Sequence, residues 1–275
     1  MEAVEQVRRI RIRPLSRVNL LIQATLIGLA LLTLYSFTRF DSRGIDLGEA
    51  TRDMFANFRL LLLEPRLKNV TALEMVRQLF VTVGLGFLTT VFGAVIAFFL
   101  GLLAAQNLAP RRVTHIIKGG TAFIRAVPTV LWVLFFAVSA GLGSVAAVLG
   151  MTFHSAGYLI KAYSESFEEI EPGVLEALRA SGASWWQMVF QAVVPASATA
   201  LLSWTFVRFE INFSTAIAMG ATAGAGGIGF DMFMASAFYL DLRELGAFTY
   251  AILAFAIALE WVATRLKTAL GSQRP

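Results

Sequence analysis

Long apolar stretches separated by short charged ones organise this chain. Val18 to Thr38, Gln78 to Pro110 and Ala126 to Ile160 contain no Asp, Glu, Lys or Arg. About 20 apolar residues in a helix cross a bilayer core. The first stretch is therefore one span, and the second suits one long or tilted span. The third holds two, if the earlier begins near Gly119 and the chain turns at Gly141-Leu142-Gly143. Ala196 to Ala221 is a fifth span carrying Arg208 and Glu210, and Leu245 to Thr264 a sixth. The pattern predicts an all-α multi-pass membrane protein with six transmembrane helices. Its expected divisions are a basic N-terminus (1–17), a first helix (18–38), an outer segment (39–77) and a five-helix core (78–268). Within the outer segment, Phe55 to Pro65 reads as an amphipathic helix lying along the membrane surface. Within the core, 164–195 forms the longest polar loop.

Composition narrows the class. Hydrophobic residues make up 57% and charged residues 15%, with a mean hydropathy of +0.70. A soluble domain carries about 45–50% and 25%, so a water-soluble enzyme is excluded. The net charge of +5 would suggest nucleic acid in a soluble protein. Here the basic residues sort by topology instead. With the N-terminus inside, Arg8, Arg9, Arg11, Arg13, Arg17, Arg111, Arg112, Lys118, Arg125, Lys161, Arg179, Arg265, Lys267 and Arg274 face the cytoplasm. Arg39, Arg43, Arg52, Arg59, Arg66, Lys68, Arg77 and Arg243 face outward. The excess inside favours N-in, C-in. The first apolar stretch exceeds the roughly 7–15 residues of a signal-peptide core and no A-x-A site follows, so it reads as a retained span. There is no cysteine and there are only two histidines, so disulfides, thiolate catalysis and a His-rich metal cluster are excluded.

The 164–195 loop reads as two short helices around a corner. Pro172 suits a first helical position, Gly182 a C′ position with positive φ, and Ser184-Trp185-Trp186-Gln187 a capping box whose helix runs to Pro195. The loop is far longer than the roughly 2–8 residues of an ordinary bundle connection. Glu176-Ala177, Gly182-Ala183 and Pro195 stand at the spacing of the EAA loop, so the segment resembles ABC-importer permeases. It departs from that pattern at Leu178, Ala192 and Val194. The resemblance implies a core like that of methionine-type permeases and a helix that couples to a cytoplasmic ATPase. It implies a second copy of the chain, two ATPase subunits and an extracytoplasmic substrate-binding protein as partners. ATP and Mg would belong to the ATPase. This chain has no G-x-x-x-x-G-K-[ST] to cradle phosphates, and no cofactor, metal or catalytic residue is expected on it.

Arg208 to Asn212, followed by Gly224-Ala225-Gly226-Gly227-Ile228-Gly229, resembles the phosphonate-type importer permeases. That implies a phosphonate, phosphite or phosphate cargo. A Gly-rich turn also occurs in methionine-type permeases, so another small solute such as an amino acid stays open. The run satisfies G-x-G-x-x-G, but no strand precedes it and no βαβ unit surrounds it, so it is no dinucleotide site. Gly224, Gly226, Gly227 and Gly229 read instead as a tight turn at the outer end of the fifth span, or as a gate.

A charge at the centre of a membrane helix costs roughly 2.5–3.5 kcal/mol, so it faces a cavity or a partner. Arg208 lies twelve residues beyond Ala196, or about 18 Å at 1.5 Å per residue. Glu210 is two positions on and faces away from it, while Asn212 shares its face. His154 is about 14 Å from the inner end of its own span. Arg208, Asn212, Glu210 and His154 are the candidate substrate-pathway residues, each with a purely structural alternative. An ion-coupled secondary transporter would call for internal repeats, and none is evident. An intramembrane enzyme would call for a nucleophile or zinc motif, and none is present. The expected setting is a bacterial plasma membrane.

Overall fold

The computed structural model describes residues 17–39, 44 and 46–271, with side chains to residue 265. The basic segment 1–16, Arg43 and Arg274 lie outside the described residues. Every regular element among the described residues is helical. The chain divides at Met54–Phe55 into two compact units. In the first unit, α1 (Arg17–Phe37) is apolar all round with no buried side chain. Such a surface is one that lipid can solvate. α2 (Leu47–Leu63) crosses the division and contains most of the expected surface helix.

The second unit is built on α3 (Ala72–Ala104), α6 (Ser144–Glu168) and α9 (Val194–Ala223), which pack along one another. Small residues allow the approach. A Cβ on Gly93 of α3 would lie 3.0 Å from Ser155 Oγ of α6. A Cβ on Gly150 would lie 2.5 Å from the Val133 backbone in α5 (Thr129–Ala140), so α5 and α6 meet main chain to main chain. Small residues at helix contacts are how membrane helices gain packing where lipid offers no hydrophobic drive. One core cluster joins Leu102, Leu159, Phe167, Leu175 and Val193 near the 164–195 loop. A second joins Leu85, Val133, Met151 and Met219 toward the other end.

Among the described residues, five helices are long and apolar enough to cross a membrane. The count is six if α4 (Arg111–Ala126) and α5, which are bent by 91° at their junction, are taken together as one span. The apolar run predicted a straight helix from near Gly119 to Gly141. Pro128 prevents it: the residue before a proline is pushed out of the helical region, and Val127 is extended at φ −89°, ψ 126°.

The loop differs from expectation in one respect. α7 (Pro172–Ala180) begins on Pro172 and closes in a Schellman motif. Gly182 N–H donates to Arg179 O and Ala183 N–H to Leu178 O, each 3.0 Å, with Gly182 at φ +81°. α8 (Trp185–Met188) opens in the Ser184–Gln187 capping box. It does not stop at Pro195. It continues through a π turn (Val189–Val193) into α9, making Trp185–Ala223 one 39-residue helix. Proline lacks the N–H that an i−4 bond needs. The wider turn, with Val194 N–H reaching Val189 O, takes up that mismatch.

Beyond α9, α10 (Ile228–Phe233) and a second π turn (Met234–Phe238) lead to α11 (Leu242–Gly271). Ile228, Ala235 and Phe248 pack there with Leu67, Val70 and Leu79.

Candidate functional site

The centre of the bundle holds a buried polar cluster. Arg208 of α9 is only 3% exposed. Its Nε donates to Ser155 Oγ at 2.8 Å and its Nη2 to His154 Nδ1 at 3.1 Å. The guanidinium carbon also lies 5.2 Å from the centroid of the Tyr158 ring. Because Nδ1 of His154 accepts, the proton of a neutral ring sits on Nε2. Asn212, one turn along α9 and fully buried, donates to Thr90 Oγ1 at 2.8 Å and to Ser155 Oγ at 3.0 Å. α3, α6 and α9 thus converge on Ser155, and every partner of Arg208 among the described residues is neutral. A buried guanidinium with neutral partners keeps a positive potential that an anion can satisfy.

Glu210 belongs to a different face. With Thr129 and Val130 of α5 and Ser214, Thr215 and Ala218 of α9 it lines an open concavity of about 540 Å³. A two-residue step on a helix turns side chains nearly opposite ways, so Arg208 and Glu210 do not share one site. Helix direction orders these features. The concavity lies toward the α9 C-terminus and the Arg208 cluster near its middle.

The glycine run after α9 is a tight turn. Gly224, Gly226 and Gly227 have φ of +62°, +79° and +74°. A Cβ on Gly227 would overlap Thr82 Oγ1, and one on Gly229 the Ile217 carbonyl. Ile228 N–H donates to that same Thr82 hydroxyl at 3.0 Å. The turn therefore sits pressed between α3 and α9.

At the opposite end, Leu175 anchors α7 in the core while Glu176, Ala177, Gly182 and Pro195 are exposed and Ala183 half-buried. Two bonds strap the segment to the α3–α4 turn: Trp185 Nε1 to Leu108 O at 2.9 Å and Arg179 Nη2 to Asn107 O at 2.7 Å. α7 and the π turn also border a cavity of about 780 Å³ lined by Glu169, Ala177, Leu178, Gln191 and Ala196. This is a firmly held helix corner exposed on the surface of the chain.

Sequence reasoning missed Glu244, in the first turn of α11 and 1% exposed. Its Oε1 accepts N–H groups of Lys68, Asn69 and Val70 at 3.1, 2.7 and 3.1 Å, and Oε2 accepts Asn69 Nδ2 at 2.7 Å. No local pattern signals a bond across this sequence distance. Among the described residues no group of three or more His, Asp or Glu comes together as a metal site.

Comparison with known proteins agrees with this architecture. The family described as binding-protein-dependent transport system inner membrane component matches residues 97–273. A phosphate-import permease protein, PhnE, of Mycolicibacterium smegmatis is 33% identical over 190 residues, 67% of this chain and 35% of that protein. The match thus spans about a third of that relative's length. A phosphite transport system permease protein, PtxC, of Stutzerimonas stutzeri is 30% identical over 67% of each chain. Among solved structures, an inward-facing MetNI methionine ABC transporter chain superposes with a TM-score of 0.67 at 20% identity. That match covers 74% of this chain and 99% of the other, a likeness of fold.

Proposed function

This chain belongs to the family of binding-protein-dependent transport system inner membrane components, and on that premise we propose that it is the membrane subunit of an ATP-driven importer of a small phosphorus oxyanion. Phosphonate, phosphite and phosphate are the candidate cargoes. One observation carries the choice of an anion: Arg208 keeps its charge near the middle of the membrane against neutral partners only. The phosphate and phosphite transport named for two relatives points the same way.

In this reading two copies of the chain pack together and the path runs between them. Ser214, exposed on α9, would otherwise turn its hydroxyl toward lipid at a face the single chain leaves open. The outer half of the path is lined by the Glu210 concavity, while Arg208, with His154 and Asn212 on the opposite face of α9, sets a positive potential at its middle from within the bundle. An extracytoplasmic binding protein delivers cargo. Two ATPase subunits, holding ATP and Mg, dock on Glu176, Ala177, Gly182, Ala183 and Pro195. The N- and C-termini lie in the cytoplasm of a bacterial cell. ATPase closure and opening then switch the bundle between outward and inward access.

The test is uptake into proteoliposomes holding the complete complex. ATP-dependent accumulation of phosphate, phosphite or methylphosphonate is expected. Uptake driven by an ion gradient without ATP, or uptake of an amino acid in place of these anions, refutes the reading.

A further inference from the structure

A second cationic feature lies below the Arg208 cluster. α4 carries Lys118, Thr121 and Arg125 at three- and four-residue steps, hence on one face. That face meets Lys161 and Glu165 of α6 across a crevice of about 190 Å³. A water claims about 30 Å³ of liquid volume, so the crevice has room for a tetrahedral oxyanion with part of its hydration shell.

The charges inside are unequally engaged. Lys118 pairs with Glu168 at 2.8 Å and Lys161 with Glu165 at 3.1 Å. The second pair is half-exposed on both sides, so it holds Lys161 only weakly. Arg125 has no ion pair or hydrogen bond among the described residues. Thr121 is only 6% exposed, yet its hydroxyl has no partner among them either. Other helical hydroxyls of this bundle, on Thr90, Ser166, Ser197 and Thr205, return to the carbonyl four residues back. The hydroxyls of Thr89 and Thr152 also lack a partner among the described residues, but Thr121 is the one that lines the crevice.

The crevice is also continuous with the centre. The stem of Arg125 packs on Gly157, where a Cβ would lie 3.4 Å from Arg125 Cγ. Gly157 is one turn from His154, the partner of Arg208. Cationic groups therefore descend from Arg208 past Arg125 to Lys118 and Lys161, toward the end where α7 and α8 lie.

We propose that the α4–α6 crevice binds a phosphate-type oxyanion, held by the Arg125 guanidinium and the Thr121 hydroxyl with Lys161 and Lys118 at the rim. A guanidinium offers two parallel donors to such a group and the hydroxyl a third. The anion comes from one of two sources: the cargo on its way out, which rests on the import reading above, or an anionic lipid headgroup, which basic pockets between spans also accept.

The chain contains no cysteine, so Ala122→Cys places its only thiol on the crevice wall. The complete complex is reconstituted in phosphatidylcholine nanodiscs, and maleimide labelling of this chain is timed with and without inorganic phosphate. Phosphate at about twice its dissociation constant slows labelling about threefold, as simple occupancy requires. Adding Arg125→Gln abolishes the protection. In a parallel arm without phosphate, nanodiscs containing phosphatidylglycerol report a headgroup by the same Arg125-dependent slowing. Protection in the first arm assigns the cargo, and protection in the second alone assigns the lipid. The proposal is overturned if neither arm protects, if sodium chloride at equal ionic strength protects as well, or if Arg125→Gln leaves protection intact. ATP-dependent oxyanion uptake by a complex whose crevice fails this test leaves the import reading standing. A crevice that passes in a complex without such uptake sinks the import reading alone.

Discussion

Replacing Arg208 with methionine separates a cargo-facing charge from a structural one. The substitution keeps an unbranched apolar stem, shorter than that of arginine, and removes the charge. On the favourable side, the native guanidinium makes two hydrogen bonds, to Ser155 and His154. Bonds from a charged donor contribute roughly 1.5–3 kcal/mol each. The Tyr158 ring adds about 1 kcal/mol. Against this stands desolvation of several kcal/mol for a buried ion, of which roughly 2.5–3.5 appears on membrane-insertion scales. The terms nearly cancel. Methionine also leaves little unsatisfied, since Ser155 Oγ keeps its bond from Asn212 and His154 is half-buried. Arg208→Met should therefore change stability by no more than about 1–2 kcal/mol, or about 5 °C in the melting midpoint at about 2–4 °C per kcal/mol. Oxyanion uptake per assembled complex should fall about 10- to 100-fold, the worth of one charge-assisted bond at about 1.4 kcal/mol per decade. Thermal unfolding in detergent and uptake in proteoliposomes measure the two quantities on one preparation. A midpoint lowered by 10 °C or more with uptake preserved would place Arg208 among the structural residues and refute the reasoning.

Three further outcomes follow from the geometry. Glu244→Gln keeps three N–H bonds on a neutral oxygen and turns its amide NH2 against Asn69 Nδ2, which loses its acceptor. A net loss of about 1–2 kcal/mol should speed hydrogen exchange at Lys68–Val70 about tenfold, and unchanged exchange would contradict the lock. Gly182→Asp meets no atom around its new Cβ, but φ +81° costs it about 1–2 kcal/mol. The bundle should insert normally while the ATPase no longer co-purifies; normal co-purification and uptake would remove Gly182 from the docking corner. Asp231, between the last two spans, has its carboxyl raised to about 6 by burial and by the neighbouring charges of Glu74 and Glu244. The unfolded chain releases that proton from about pH 4, so stability falls as pH rises through the interval and stays lower above it. Asp231→Asn should therefore raise the melting midpoint relative to the parent at pH 7.5 and not at pH 4. A pH-independent difference would count against this account.

What could be read from residue order depended on the range of the interaction. The Schellman close at Gly182 and the capping box at Ser184 involve backbone groups within a few positions, and their residue types announce them. The shared face of Arg208 and Asn212 follows from helical spacing, and depth alone placed His154 within reach of Arg208. The 91° bend before α5 was masked because an apolar run looks the same straight or folded, although Pro128 was visible inside it. Pro195 misled in the opposite sense. It signals a helix end, yet a π turn absorbed the missing N–H and the helix continued. The Glu244 lock and the α4–α6 crevice join helices far apart in the chain, where no periodic pattern reaches.

The uninterrupted helix from Trp185 to Ala223 has a mechanical consequence. At 1.5 Å per residue its 39 residues form a rod of about 58 Å. Its first turn stands at the exposed corner after Gly182 and its middle carries Arg208. With no loop between them, a pivot of about 10° at the corner displaces Arg208, about 35 Å along the rod, by roughly 6 Å. The π turn is the one place where this lever's regular hydrogen-bond ladder is already loosened. Stiffening it, by letting an ordinary residue replace Pro195, would alter how far a push at one end travels, with no change to Arg208, His154 or Asn212.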